Sequence, residues 1–302
     1  MKIKHLKDAL HINATHPLNR GKRISSFLRF AAFQVRGWFI DSAYTIKFVN
    51  DTQINIQRGD SSALALLTGL YEFEEMAFLL HFLREEDLFV DVGANIGAFS
   101  ILASGVIGSP SIAFEPVPAT VALLQNNVMI NRLASKVTVI NAAVGSKEGA
   151  IPFTSTFGAM NHVATDNEKK QGNFIEVPII RLDDLDSNKI PTLIKIDVEG
   201  FESEVIAGAH SILKNPKVQA LIVETNGSGK RYGYNDEGLH KTILSFGFSS
   251  IAYNPELRKI FSLNNEINKS SGNTIYIRDK NIVHERVSQS PSFLVRHNNI
   301  TI

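Results

Sequence analysis

The stretch Leu88–Ser100, LFVDVGANIGAFS, constrains this chain more than any other. Leu88, Phe89, Val90 and Val92 make the short apolar run that a central parallel strand needs, and Asp91 interrupts it near its carboxyl end. A charge in that position has to have a reason. Gly93 and Gly97 bracket Ala94, Asn95 and Ile96, so the backbone can turn sharply and bring the start of a helix close to a ligand. The pattern predicts a strand, a glycine turn and a helix that together cradle a nucleotide.

Asn95 narrows the choice of nucleotide. The dinucleotide fingerprint G-x-G-x-x-G, laid over Gly93, wants a second glycine where Asn95 stands and a glycine or alanine at Ala98, and only the last is met. A branched amide hinders the approach of backbone to a pyrophosphate and adds its own donor and acceptor. The turn suits a nucleoside cofactor without a pyrophosphate bridge, such as S-adenosylmethionine, whose amino-acid head Asp91 and the backbone could hold. Ser111–Glu115 reads as a second strand ending in Glu115, 22 residues after Gly93. That is close to the ~20-residue offset at which a strand-end acid accepts hydrogen bonds from ribose hydroxyls.

Three more strand ends reach the same edge. Val137–Val144 brings Asn141 and Ala142, a small residue that leaves room for an adenine ring beside an amide able to bond near it. Leu193–Ile196 runs into KIDVEG, where Lys195, Asp197 and Glu199 alternate and so point to one side of an extended strand. Three charges there are costly to bury without purpose or pairing. They nominate Asp197 and Glu199 as catalytic bases, with His162 as the alternative, carried on an aperiodic stretch, residues 154–173, that reads as a candidate lid. Ala220–Glu224 is a fifth strand ending in an acid, followed by a loop bearing Lys230, Arg231 and Tyr232 that lacks the spacing of a P-loop. No dedicated metal-ligand spacing is present, although a cation bridging Asp197 and Glu224 is conceivable.

Composition removes several function classes. The 31 basic and 30 acidic residues leave a charge of +1, so no global basic field points to nucleic acid, and the absence of cysteine excludes disulfides, thiolate metal sites and a catalytic thiol. No apolar run approaches the roughly 20 residues that span a bilayer and the first residues show no cleavable leader, so a cytoplasmic, soluble protein is expected. His5, His11 and His16 are scattered rather than clustered. Ser25–Ile40 reads as an amphipathic helix, packed onto the main domain in the favoured reading and resting on a membrane surface in the lesser one. Tyr44–Ile56 reads as a hairpin turning at Asn50-Asp51. The expected organisation is an amino-terminal extension over 1–69, a catalytic domain over 70–283 and a peripheral tail over 284–302.

The motifs DVGANIG, FEPVP, LDDL and KIDVEGFE, in that order between about Tyr71 and Glu224, resemble the FkbM family of S-adenosylmethionine-dependent methyltransferases. The resemblance implies an α/β Rossmann-like class I fold: a seven-stranded, mostly parallel sheet with helices on both faces. It further implies O-methylation of a hydroxyl on a sugar, glycan or polyketide-like metabolite, so the expected partner is a small-molecule or glycan acceptor. By that likeness Asp91, Gly93 and Gly97 hold the cofactor's amino-acid part and Glu115 its ribose. A nicotinamide-dependent oxidoreductase, or a cofactor-binding partner without catalysis, stays open as an alternative.

Overall fold

The computed structural model describes residues 10–36, 44–56, 68–296 and 298–302. Helix α1 (Arg23–Arg36) is followed by an antiparallel hairpin of β1 (Tyr44–Lys47) and β2 (Gln53–Ile56), which turns through Asn50 in the left-handed region at φ 50°. Helix α2 (Phe73–Phe82) leads into β3 (Phe89–Val92), whose four residues are all buried. Helix α3 (Ala98–Ile101), prolonged by a π-helical turn over Leu102–Ile107, connects to β4 (Ser111–Phe114). Helix α4 (Pro118–Ile130) opens with proline in its first turn, where the missing N–H costs nothing, and delivers the chain to β5 (Val137–Ile140).

The strand expected over 137–144 divides at this point. The amide of Ala142 turns back onto the Ile140 carbonyl, and β6 (Ala143–Val144) joins a separate sheet with β7 (Gly149–Phe153) and β8 (Ile175–Ile180), in the order β6-β8-β7. Helix α5 (Asp166–Gln171) lies between β7 and β8, so the aperiodic stretch is partly ordered. The chain re-enters the main sheet at β9 (Leu193–Ile196), passes through α6 (Glu202–Ala207) and α7 (His210–Lys214), and forms β10 (Ala220–Glu224). Helix α8 (Asp236–Ser245), β11 (Ser249–Asn254), β12 (Lys259–Ser262), β13 (Asn273–Ile277) and helix α9 (Lys280–Ser288) follow, and a small hairpin of β14 (Leu294–Val295) and β15 (Ile300–Thr301) comes last.

The main sheet has the order β12-β11-β13-β10-β9-β3-β4-β5. The run from β5 to β10 is parallel, and β13 lies antiparallel between β10 and β11. These are the seven expected strands. Strand β12, short and mostly exposed, adds an eighth at one edge by pairing with β11. Helices cover both faces of the sheet, which is why its central strands are apolar throughout rather than alternating. Phe89 and Leu193 join one apolar cluster with α2, and Val90, Val92, Ile194 and Ile196 join the opposite one with α6 and α7. By that alternation Asp91 and Lys195, paired in register between β3 and β9, fall on the face of Phe89 and Leu193.

The two terminal segments pack against the body of the protein and against each other. Phe48, Val49, Ile54 and Ile56 are fully buried in the cluster that holds α2 and α3. Val49 bridges to Val295, and the Asn298 amide donates to the carbonyls of Leu18 and Thr68, each at 2.9 Å. The boundary expected at 283/284 cuts through α9, where Val283 and Val287 are both buried. Local sequence cannot reveal such pairing because the partners lie at opposite ends of the chain. Helix α1 packs through Ser26, Phe30 and Phe33, and its expected continuation over residues 37–40 lies outside the described residues, as does His5. His16 caps a 3-10 turn by accepting from the Leu18 amide, with its ring edge-on to Phe73.

If the hairpin belongs to the core, Phe48→Ala should lower unfolding free energy by about 3–5 kcal/mol in urea denaturation. A change within about 0.5 kcal/mol, as expected for a surface site, would show that the hairpin is an appendage.

Candidate functional site

The carboxyl ends of β3, β4, β9 and β10 open into one cavity, lined there by Gly93, Glu115, Asp197 and Glu224. This is where open α/β sheets bind ligands. Tyr71 and Glu72, just before α2, form another part of the wall, and Gly158, Ala159, Asn161 and Val163 extend it from the insert between β7 and β8. That insert is fixed rather than loose: the Tyr232 hydroxyl donates to the Val163 carbonyl at 2.6 Å, and Thr165 and Glu168 close a reciprocal cap on α5.

Lys195 sits at the floor with 4% of its surface exposed. Its ammonium donates to Asp197 Oδ2 at 2.8 Å and lies 4.9 Å from the centre of the Phe99 ring. Burial alone would lower its pKa, but the carboxylates of Asp197, Glu72 and Asp91 outweigh that and raise it, so it stays charged. Asp91 is deeper still, at 1% exposure. Its Oδ2 accepts from the Ser100 hydroxyl at 2.7 Å, whereas Oδ1 is buried without a hydrogen-bond partner among the described residues. Burial pushes the Asp91 pKa up, and Lys195 opposes the shift. Asp91 thus lies beneath the cavity rather than on its wall.

The glycine turn has a different use from the one a phosphate would need. The amides of Gly93 and Ala94 both donate to the Phe114 carbonyl, at 3.0 and 2.9 Å, and the Asn95 amide donates to Glu115 Oε2 at 3.0 Å. The other carboxylate oxygen of Glu115 accepts from the Val117 amide, also at 3.0 Å. Asn95 adopts φ 51°, a conformation that asparagine tolerates. Gly93, at φ 79°, is required for a second reason: a Cβ there would stand 1.9 Å from the Asp197 carbonyl oxygen. The exit of β9 is therefore pressed directly onto the end of β3. Gly97 caps α3, and Leu124 of α4 fills the space a side chain would need.

Five carboxylates line the cavity (Glu72, Glu115, Asp197, Glu199 and Glu224), against one lysine, Lys195. Burial and the neighbouring Asp197 raise the Glu199 pKa to about 7. Burial, with Asp197, Glu202 and Glu199 close by, raises Glu224 to about 10. Burial also lifts Glu72 to about 8, against the pull of Lys195. One oxygen each from Asp197, Glu199 and Glu224 falls within 4.8 Å of the others, close enough for the three to share a cation. Glu199 does not reach the cavity by strand alternation. Strand β9 ends at Ile196, and Glu199 turns inward through φ 56°, a turn held by Glu202 accepting from the amides of Val198 and Gly200.

Two nominated residues have other duties. His162 does not line the cavity: Nδ1 bonds the Met160 carbonyl at 2.8 Å, Nε2 faces Glu168 at 3.1 Å, and its ring stacks on Phe157. Both of its ring nitrogens are thus engaged inside its own loop. The Asn141 side chain donates to the carbonyls of Glu115 and Pro116, at 3.0 and 2.8 Å, and so shapes the end of β4, while its neighbour Ala142 does line the cavity. Tyr71 and Glu72 carried no sequence signal. Glu224 did, as a strand-end acid matching Glu115.

A profile of the methyltransferase FkbM domain matches residues 91–250, more than half of the chain. The chain is similar to the hexuronic acid methyltransferase AglP of Haloferax volcanii, 31% identical over 156 residues, covering 51% of this chain and 62% of that protein. It is also similar to the 31-O-demethyl-FK506 methyltransferase FkbM of Streptomyces tacrolimicus, 27% identical over 191 residues, covering 51% of this chain and 72% of the other. The match to AglP thus spans a little under two thirds of that protein's length. Among solved structures, TYW2 of P. horikoshii in complex with MeSAdo aligns with a TM-score of 0.40 and 13% identity, covering 79% of this chain and 70% of that one.

The raised carboxyl pKa values make stability depend on pH. Glu199, Glu72 and Glu224 hold protons in the folded state that an unfolded chain releases near 4.5, so their contribution is complete below that pH and is lost as pH climbs through about 7, 8 and 10. The ligand-free melting temperature should fall between pH 5 and pH 9 in differential scanning fluorimetry, and Glu224→Gln should flatten the decline. An equally steep decline in the variant would dismiss Glu224 as a contributor.

Proposed function

The chain belongs to the FkbM methyltransferase family, and on that premise we propose that it transfers a methyl group from S-adenosylmethionine to a hydroxyl oxygen of a sugar, glycan or polyketide-like acceptor. The observation that carries this reading is the lining of the cavity, five carboxyl groups against one lysine, of which Glu72, Glu199 and Glu224 can each give up a proton when a positive charge enters. A sulfonium brings positive charge to such a site and needs no phosphate-binding amides. A nicotinamide dinucleotide would bring a pyrophosphate to a turn whose amides at Gly93, Ala94 and Asn95 are already engaged. The substrates named for the relatives, a hexuronic acid and 31-O-demethyl-FK506, support an oxygen acceptor on a sugar or polyketide scaffold.

When bound, the cofactor supplies an electrophilic methyl carbon on sulfur. The protein's own groups do the rest. Glu115 lines the cavity at the end of β4, held in place by accepting from the Asn95 and Val117 amides, and this is the position from which a strand-end acid takes ribose hydroxyls. Gly93 and Ala142 leave space at the cavity wall, and Asp91 and Lys195 fix the floor from below. Of the two nominated bases, Asp197 is already held by Lys195 and is better suited to positioning. Glu199, with its pKa near 7, matches the requirement for a group that accepts a proton at neutral pH. The Glu199 carboxylate would accept the proton that the acceptor hydroxyl loses on methylation. The insert over the cavity keeps competing water out.

Titration calorimetry should show saturable binding of S-adenosylmethionine and S-adenosylhomocysteine and none of NAD; preference for NAD would overturn the reading. Glu115→Ala should weaken S-adenosylmethionine binding by about 10–100-fold, the worth of hydrogen bonds to a charged group. An acceptor screen read as mass gain of one methyl group supplies the turnover assay. In it, Glu199→Gln should lower kcat by about 10²–10⁴-fold with cofactor affinity retained. Full turnover in that variant would remove Glu199 from the role of base, and cofactor binding without any turnover in the parent protein would favour the non-catalytic alternative.

A further inference from the structure

Helix α1 has two apolar faces. Ser26, Phe30 and Phe33 are buried against the body of the protein. On the outer side Ile24 is 79% exposed, Leu28 62% and Val35 48%. With Ala31 they fall at spacings of four, three and four, which is one continuous stripe along a helix. A helix that needed only to pack would carry polar residues there. At 3.6 residues per turn Arg23 falls to one side of the stripe and Arg36 to the other, while Arg29 turns toward the body of the protein and donates to Ser26 and Asn298. That is the cross-section of a helix lying in an interface, apolar at the bottom of its wheel and cationic at the flanks.

The surrounding charge is equally one-sided. From Ala9 to Ile40 the chain has no aspartate or glutamate and five basic residues, Arg20, Lys22, Arg23, Arg29 and Arg36, although the chain as a whole is balanced at 31 to 30. Arg20 meets Glu256, Lys22 and Arg29 reach Asn298, and the Arg36 guanidinium lies over the Tyr44 ring, so the basic groups are tied to a folded support. The sequence directly after the helix continues Trp38, Phe39, Ile40. Aromatic residues of this kind favour the boundary between headgroups and acyl chains. The 14 residues of α1 amount to roughly 21 Å, too short to span, and no helix among the described residues is long and apolar enough to cross a membrane.

We propose that α1 is a peripheral membrane-binding element, which lays Ile24, Leu28 and Val35 into the surface of an anionic bilayer with its arginines at the level of the lipid phosphates. The partner follows from charge complementarity: a segment with five basic residues and no acid of its own, carrying an apolar stripe, fits an anionic lipid surface. Because the stripe is solvent-exposed, the device is independent of the methyl-transfer reading and of the cavity.

The test is flotation of the full chain with vesicles of phosphatidylcholine alone or with roughly 30% phosphatidylglycerol. Binding to the anionic vesicles should exceed binding to the neutral ones by at least about tenfold and should weaken in high salt. Leu28→Glu and Ile24→Glu should each cut anionic-vesicle binding by at least about tenfold while the circular dichroism spectrum is unchanged. Equal binding to both vesicle types, or a Leu28→Glu protein that binds like the parent, would overturn the proposal. It would also be overturned if the parent ignores vesicles and Leu28→Glu converts an oligomer to a monomer on gel filtration, since the stripe would then be an interface between copies of the chain.

Discussion

A single buried ammonium sets the conditions for everything at the sheet edge. Lys195 lies between Asp91, its register partner on β3, and Asp197, two residues further along its own chain, with Glu72 close enough to add to its charge. Taking an isolated lysine out of water is expensive, and taking out a group of acids is more so. Each makes the other tolerable. The aromatic face of Phe99 covers one side of the ammonium, so the charge is satisfied by geometry rather than by solvent. Burial, reinforced by the excess of carboxyl groups over this one cation, is what leaves Glu72, Glu199 and Glu224 holding protons at pH values where they would ordinarily be ionised.

Much of this arrangement is legible in the sequence because it rests on local rules. An apolar run broken by one acid, a glycine turn, and further acids at the ends of later strands are enough to place Gly93, Glu115, Asp197 and Glu224 at one edge of a parallel sheet. What local rules miss has identifiable causes. Strand alternation sets Lys195 and Asp197 on one side, where the two are hydrogen-bonded, but it does not bring Glu199 into the cavity, because the backbone leaves the extended region and turns left-handed there. Spacing suggested that Asn95 excludes a pyrophosphate by bulk. The structure gives a stronger reason, since the amides of the turn are engaged with Phe114 and Glu115. His162 and Asn141 both lie near the site in sequence logic, yet each is occupied by carbonyls of its own neighbourhood.

The pairing of the two terminal segments escapes the sequence for a different reason. The expected extension and tail look weak in sequence because each is short, and neither carries a core of its own. Their apolar residues complete each other: Phe48, Val49 and Ile54 on one side, Val287, Phe293 and Val295 on the other, all within one cluster. Burial of that kind depends on contacts between distant parts of the chain, to which periodicity is blind.

The tie that Asn298 makes to Leu18 and Thr68 has a consequence for the timing of folding. Thr68 stands just ahead of Tyr71 and Glu72, which wall the cavity, and β13 must slot antiparallel between β10 and β11 before the sheet is complete. During synthesis the amino-terminal hairpin and α2 emerge from the ribosome long before their partners. Part of their apolar surface meets α3 and α4 early, and the rest stays uncovered until α9 and the hairpin of β14 and β15 have been made. A nascent chain paused before residue 273 would already contain every motif of the binding turn and still lack both the strand between β10 and β11 and the clasp onto Leu18 and Thr68.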